Sequence, residues 1–213
     1  MGQPWERGRA LGEALGVFGL ILWYIWRLRF VWPAAWIPML GVVVLSHALR
    51  RESPASLGFR LAGAGSPFAE FGPVVGLLCL LLAGAGSVLQ TLRAVRWEDA
   101  LGSLALYCLW GLFQQYLLNG YFVNRFRQAF PGSETRGVPA LAAVFFSAAH
   151  LPNWFLMAVT LAAGYACAKV YLRYRNLYFL GVAHGVIGFL IYLAVPDAIS
   201  HHLYVGPKWF RGR

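Results

Sequence analysis

Charge is what this chain has least of. Only 12% of its 213 residues are charged, and eight of them are acidic. A soluble domain carries about a quarter charged residues, so a solvated globular surface is excluded. Cysteine is scarce too. Cys79, Cys108 and Cys167 stand singly inside apolar segments, without metal or redox spacing, and read as small buried hydrophobes. That spacing excludes a disulfide framework and a cysteine metal centre. The sequence has no short repeat and no low-complexity tract. No cleavable signal stands out: the first apolar run meets Arg27 and Arg29 rather than a small-residue cleavage site, so it is expected to remain as a helix. The net charge of +10 comes without a basic face or a stacking module, which argues against nucleic acid as a partner.

What the chain has in excess is apolar length. Hydrophobic residues make up 59%, and the mean hydropathy is +0.58. Seven apolar runs follow one another at about 11–26, 31–49, 72–92, 100–126, 138–150, 154–171 and 177–195. A bilayer core of roughly 30 Å needs about 20 residues per helix. The expectation is an all-α polytopic bundle of about seven (six to eight) transmembrane helices, forming one integral membrane domain over 1–213. The Lys and Arg residues lie between the runs, where they set topology and meet anionic headgroups. Their bias places the N-terminus inside; an eighth, broken span would reverse the C-terminal half. His47, beside the basic boundary Arg50-Arg51, reads as interfacial. The tail PKWFRGR reads as a headgroup-level anchor of aromatic and basic residues.

Polar side chains inside the apolar runs are the candidates for function. The fourth run holds Gln114, Gln115 and Asn119. Gln115 and Asn119 share a helical face, while Gln114 is about 100° round from its neighbour. Lipid satisfies none of these amides, so they must face the bundle interior. Their plainest role is to hydrogen-bond neighbouring helices. His150 ends the fifth run, and His184 sits in the seventh among Gly181, Gly185 and Gly188, which admit a close backbone or a substrate. Together the five polar residues would make a buried site with titratable groups.

In this order the motifs resemble the CAAX-protease and bacteriocin-processing (CPBP, or Abi) family of intramembrane endopeptidases over about 100–195. That family shows Glu-Glu-x-x-x-Arg-Gly, then Phe-x-x-x-His, then His-x-x-x-Asn. This chain has Gln114-Gln115-Tyr-Leu-Leu-Asn119-Gly120, then Phe146-Ser-Ala-Ala-His150, then His184-Gly-Val-Ile-Gly188. The resemblance implies that Gln114 replaces a water-activating Glu, that His150 stands beside it, and that His184 stabilises an oxyanion. Gln115, Asn119 and Phe146 would position water or substrate. Gly188 takes the place of an oxyanion-stabilising Asn.

Those substitutions bear on the chemistry, because an amide cannot accept a proton from water as a carboxylate does. None of the eight acids lies deep in the spans of the matched half, which leaves His150 as the candidate base. Two functions remain. One is an intramembrane endopeptidase with an atypical site that cleaves a membrane-associated peptide or protein tail. The other is a catalytically silent relative that binds such a peptide or a partner helix as chaperone, adaptor or regulator. Neither calls for a metal or a cofactor. The expected surroundings are the lipid bilayer and, as localisation, a bacterial inner membrane.

Overall fold

The computed structural model describes residues 3–61 and 65–211, so the last two residues of the expected anchor lie outside the described residues. Among the described residues there is no strand; the chain is a bundle of apolar helices joined by short turns. Five are long and apolar enough to cross a membrane: α1 (Pro4–Val31), α3 (Gly65–Val88), α4 (Trp97–Ala129), α6 (Trp154–Tyr174) and α7 (Leu177–Ala194). Two shorter apolar helices, α2 (Pro33–Leu49) and α5 (Gly137–Ala148), complete the seven expected runs. Short helices at Asp197–Ser200 and Pro207–Arg211 follow α7.

Helix ends follow the local sequence. Asn153 opens α6 by accepting a hydrogen bond from Leu156 N–H at 3.1 Å, and Asn176 opens α7 in the same way through Phe179 N–H at 2.9 Å. Between these two helices Arg175 adopts the left-handed conformation, φ 49°, so α6 turns back directly into α7. The expected run 138–150 ends earlier than its hydropathy suggests. Helix α5 stops at Ala148, and His150 stands in the turn that follows. Helix α1 is longer than its apolar run, because Trp5, Glu6 and Arg9 form helical turns before the hydrocarbon begins.

Small residues set the closest packing. A Cβ on Gly185 would lie 2.4 Å from Cys108 Cα, and one on Gly181 would lie 2.8 Å from Leu112 Cα. From the other side, a Cβ on Gly111 would meet Gly181 O at 2.7 Å. Helices α4 and α7 therefore run antiparallel with their backbones touching, as small-xxx-small seams allow in lipid. Outward-facing Leu80, Leu81, Leu106 and Leu109 are exposed, as lipid-facing side chains should be. The interior packs the rings of Phe18, Phe122, Phe126 and Phe145 against one another.

The loop after α2 is fixed to this core. Gly58, at φ +101°, accepts from Leu177 N–H at 2.9 Å, and a Cβ there would strike the Tyr171 ring at 2.8 Å. The buried Tyr171 hydroxyl donates to Leu57 O at 3.0 Å and accepts from Asn124 Nδ2 at 2.9 Å. The loop is thereby held over one end of α4 and α6.

Candidate active site

Helix α4 changes its winding where the amides lie. It is α-helical to Gln115 and then π-helical over Tyr116–Val123. Such widened turns concentrate at functional sites. Gln115 and Asn119 are fully buried, at 1% and 0% exposure. Asn119 Nδ2 donates to Gln115 Oε1 at 2.6 Å, which turns the Gln115 amino group toward His184 Nδ1, 3.1 Å away. An amide nitrogen can only donate, so Nδ1 accepts and the proton of a neutral His184 sits on Nε2. His184 is thus presented as a hydrogen-bond donor.

His150 is set up the opposite way. Its Nδ1 lies 2.7 Å from Phe146 O, and a carbonyl only accepts, so the proton is on Nδ1 and Nε2 is left as a bare acceptor. The Phe146 ring stands edge-on to His150 at 5.0 Å and lies 6.0 Å from His184, so it touches both imidazoles. One side chain offers a lone pair and the other offers a proton.

The turn carrying His150 is anchored from the far end of the chain. The Asn153 side chain is fully buried and donates to Ser200 O at 2.9 Å and to Tyr204 O at 3.0 Å. Gly206 N–H donates to Leu151 O at 2.7 Å. Asn153 therefore holds three segments together. Its signal in the sequence was only the Leu-Pro-Asn that continues from His150.

The expected residues are not all linked by hydrogen bonds. Gln115, Asn119, Phe146, His150 and His184 are joined by the contacts above. Gln114 is half-buried and has no hydrogen-bond partner among the described residues. The amide that reaches His184 is thus Gln115. A Cβ on Gly188 would lie 4.0 Å from Cδ2 of the His184 ring, one turn back on the same helix. Among the described residues no three His, Cys, Asp or Glu side chains gather as a metal site would require.

A second polar cluster lies further along α4, and the sequence reading missed it. Arg125 has a side chain with 0% exposure. It forks onto Glu52 at 2.8 and 2.9 Å and reaches Glu13 at 3.1 Å. Glu13 also accepts from Arg50 and Ser46, and Glu52 from His47 and Gln128. Burial raises the Glu52 pKa, but the hydrogen bonds from His47 and Arg125 and the charge of Arg125 outweigh it and bring it to about 2. His47, expected at the basic boundary of its run, is 5% exposed and tied to Glu52. The available signal was Glu13, a carboxylate inside the first apolar run.

Residues 96–190 match the family model described as Rce1-like, type II CAAX prenyl endopeptidase Rce1-like. No curated protein and no solved structure matches the chain. The matched segment runs from the start of α4 into α7 and so contains the amides, Phe146 and both histidines. The segment 96–190 of this multi-pass membrane protein therefore belongs to the Rce1-like, type II CAAX prenyl endopeptidase group within the family that its three motifs resemble.

Proposed function

We propose that the chain is an intramembrane endopeptidase that cleaves a membrane-associated peptide or protein tail, with His150 as the general base. A water held at His150 Nε2 attacks the scissile carbonyl carbon as its proton passes to that nitrogen. The carbonyl π electrons move to oxygen, and His184 Nε2–H donates to the resulting oxyanion. On collapse the C–N bond breaks and the proton on His150 passes to the departing amine. Asn119 and Gln115 act through His184, since their hydrogen-bond chain fixes its tautomer. The free amide of Gln114 is assigned to the attacking water, as amides hold water elsewhere. The observation that carries this reading is the opposed pair of imidazoles beside Phe146, one with a bare lone pair and one with a proton to give.

In this reading 1–213 is one integral membrane domain with 100–195 as its core, residing in a bacterial inner membrane. The binding-only alternative draws on one specific observation. The carboxylates that reach α4, Glu13 from α1 and Glu52 from the loop after α2, are committed to Arg125, and among the described residues no carboxylate is hydrogen-bonded to His150. The test incubates purified native, His150→Ala and Gln114→Glu proteins with membrane-peptide substrates and identifies products by mass spectrometry. Native protein cleaves, His150→Ala does not, and Gln114→Glu cleaves faster because a carboxylate replaces the amide beside the water. Undiminished cleavage by His150→Ala removes the assignment. No cleavage by any variant, with tight retention of the peptide, establishes the binding role.

A further inference from the structure

A groove of about 310 Å³ opens where the last turn of α4 meets the loops after α2 and α4 and the turn that follows α6. Its lining is polar throughout, and most of it is already spent on internal partners. Glu52 is held by Arg125 and His47, and Gln128 links Arg50 to Glu52. Ser56 Oγ donates to Ser53 O, and Asn124 Nδ2 donates to Gly120 O and to the Tyr171 hydroxyl. Three lining residues keep something to offer. Arg127 and Glu134 make no hydrogen bond or ion pair among the described residues. Arg175 gives Nη2 to Asn124 Oδ1 at 2.5 Å and lies over the Tyr171 ring, while its Nη1 has no partner. The Nε of both arginines is enclosed, so their Nη groups are what the groove receives. Two cations and one carboxylate thus line a single space without closing on one another.

The chemistry of an occupant follows from those three charges. A bare phosphate would satisfy the arginines and be repelled by Glu134. An ammonium alone would satisfy Glu134 and be repelled by the arginines. A phosphate ester that also carries a primary ammonium meets all three, through oxygens for the guanidinium groups and N–H donors for the carboxylate. The level of the groove names the source. At 33 residues α4 is about 50 Å long, well beyond a hydrocarbon core of roughly 30 Å. Arg127 lies in its last turn, and Arg175 follows directly on α6. Exposed Arg136 and Arg173 stand at the same end. That end lies among the lipid headgroups, where basic pockets between helices take up phosphate.

We propose that this groove binds the headgroup of a glycerophospholipid with a primary ammonium, of the ethanolamine type. The phosphate is held by Arg127 and Arg175 Nη1, and the ammonium donates to Glu134. The bound headgroup joins the end of α4, the loop before α5 and the turn between α6 and α7. The site is separate from the two histidines assigned to cleavage and does not depend on that assignment.

The test is native mass spectrometry of the full chain in detergent, titrated in turn with dioleoyl phosphatidylethanolamine, phosphatidylcholine and phosphatidylglycerol. The ethanolamine lipid binds at least about tenfold more tightly than the others, neither of which brings a charged N–H to Glu134. Glu134→Gln removes that preference, and Arg127→Gln weakens binding of all three lipids about tenfold or more. Neither residue has an internal partner to lose, so both variants fold, and their melting temperatures check it. Arg136→Gln, at an exposed cation of the same loop outside the groove, keeps native binding. Glycerophosphoethanolamine, the headgroup without its chains, separates the bilayer from a soluble phosphate ester and binds more weakly than the lipid. No preference for the ethanolamine lipid, native binding by Arg127→Gln, or an equal loss in Arg136→Gln overturns the proposal. Binding of the chain-free headgroup as tight as that of the lipid overturns the bilayer as its source.

Discussion

Gln115 Nε2 stands 3.1 Å from His184 Nδ1, a contact between residues 69 apart in the chain that joins the winding change of α4 to the middle of α7. Gln115 belongs to the packed interior, and Gln114, one residue earlier, remains free to act on something else.

The two glutamines should therefore separate in mutagenesis. Gln115→Leu leaves His184 Nδ1 and Asn119 unmet and lowers stability by about 1–3 kcal/mol. It also frees the His184 tautomer, with a loss of about 10²–10³ in cleavage rate where His184 donates to the oxyanion. Gln114→Leu lowers cleavage and leaves stability within about 0.5 kcal/mol, because it has no internal partner to orphan. Thermal unfolding in detergent beside a peptide-cleavage assay distinguishes them.

The seam between α4 and α7 predicts a graded glycine series. Gly185→Ala forces a Cβ to within 2.4 Å of Cys108 Cα and costs about 1–3 kcal/mol or more. By pushing α7 away it also breaks the Gln115–His184 contact. Gly188→Ala meets the Tyr107 ring at 3.4 Å and His184 Cδ2 at 4.0 Å, ordinary contacts, and is tolerated. Melting temperatures of the two variants in detergent test the difference; equal losses would refute the seam.

Removing the cation at the centre of the second cluster should be costly. Arg125→Met leaves Glu13 and Glu52 close together without their buried partner, a loss of about 3–5 kcal/mol. The double change Arg125→Met with Glu52→Gln recovers part of it, and a double-mutant cycle measures the coupling.

Glu52 gives the cluster an acid limb. Its pKa in the folded protein, about 2, lies below the ordinary value of 4.5. A depressed carboxylate stabilises the fold fully above the unfolded pKa and loses that contribution as pH falls through the folded one. The native protein should therefore lose about 1–2 kcal/mol of stability between pH 4.5 and about 2, allowing for the side chain's partial solvent screening. Glu52→Gln should lack this limb. Unfolding temperatures at graded pH, native against variant, provide the measurement.

Membrane residence has its own check. With five helices long and apolar enough to span among the described residues, the chain should stay in the membrane pellet after alkaline carbonate washing and leave it only in detergent. Release into the soluble fraction without detergent would contradict the spans.

The sequence by itself determined the class of this protein. Scarce charge and seven apolar runs require helices that satisfy their own backbone in lipid, and that constraint acts locally, run by run. The three motifs also named Gln114, Gln115, Asn119, Phe146, His150 and His184: the resemblance picked out the set, and the five polar members stood out because a polar group inside an apolar run has nowhere to face except the interior. Which amide meets which imidazole was decided only by tertiary structure. A π-helical turn shifts the face of α4 just after Gln115, and the glycines of α7 let its backbone approach closely enough for a 3.1 Å contact. The tautomers followed from those contacts, since each proton position is fixed by a partner far away in the chain or by a carbonyl one turn back. Arg125, Glu13, Glu52 and His47 were invisible as a unit for the same reason. Arg125, Glu52 and His47 look like boundary residues in their own segments, with Glu13 alone standing inside an apolar run, and their attraction is expressed only when packing brings them out of water together.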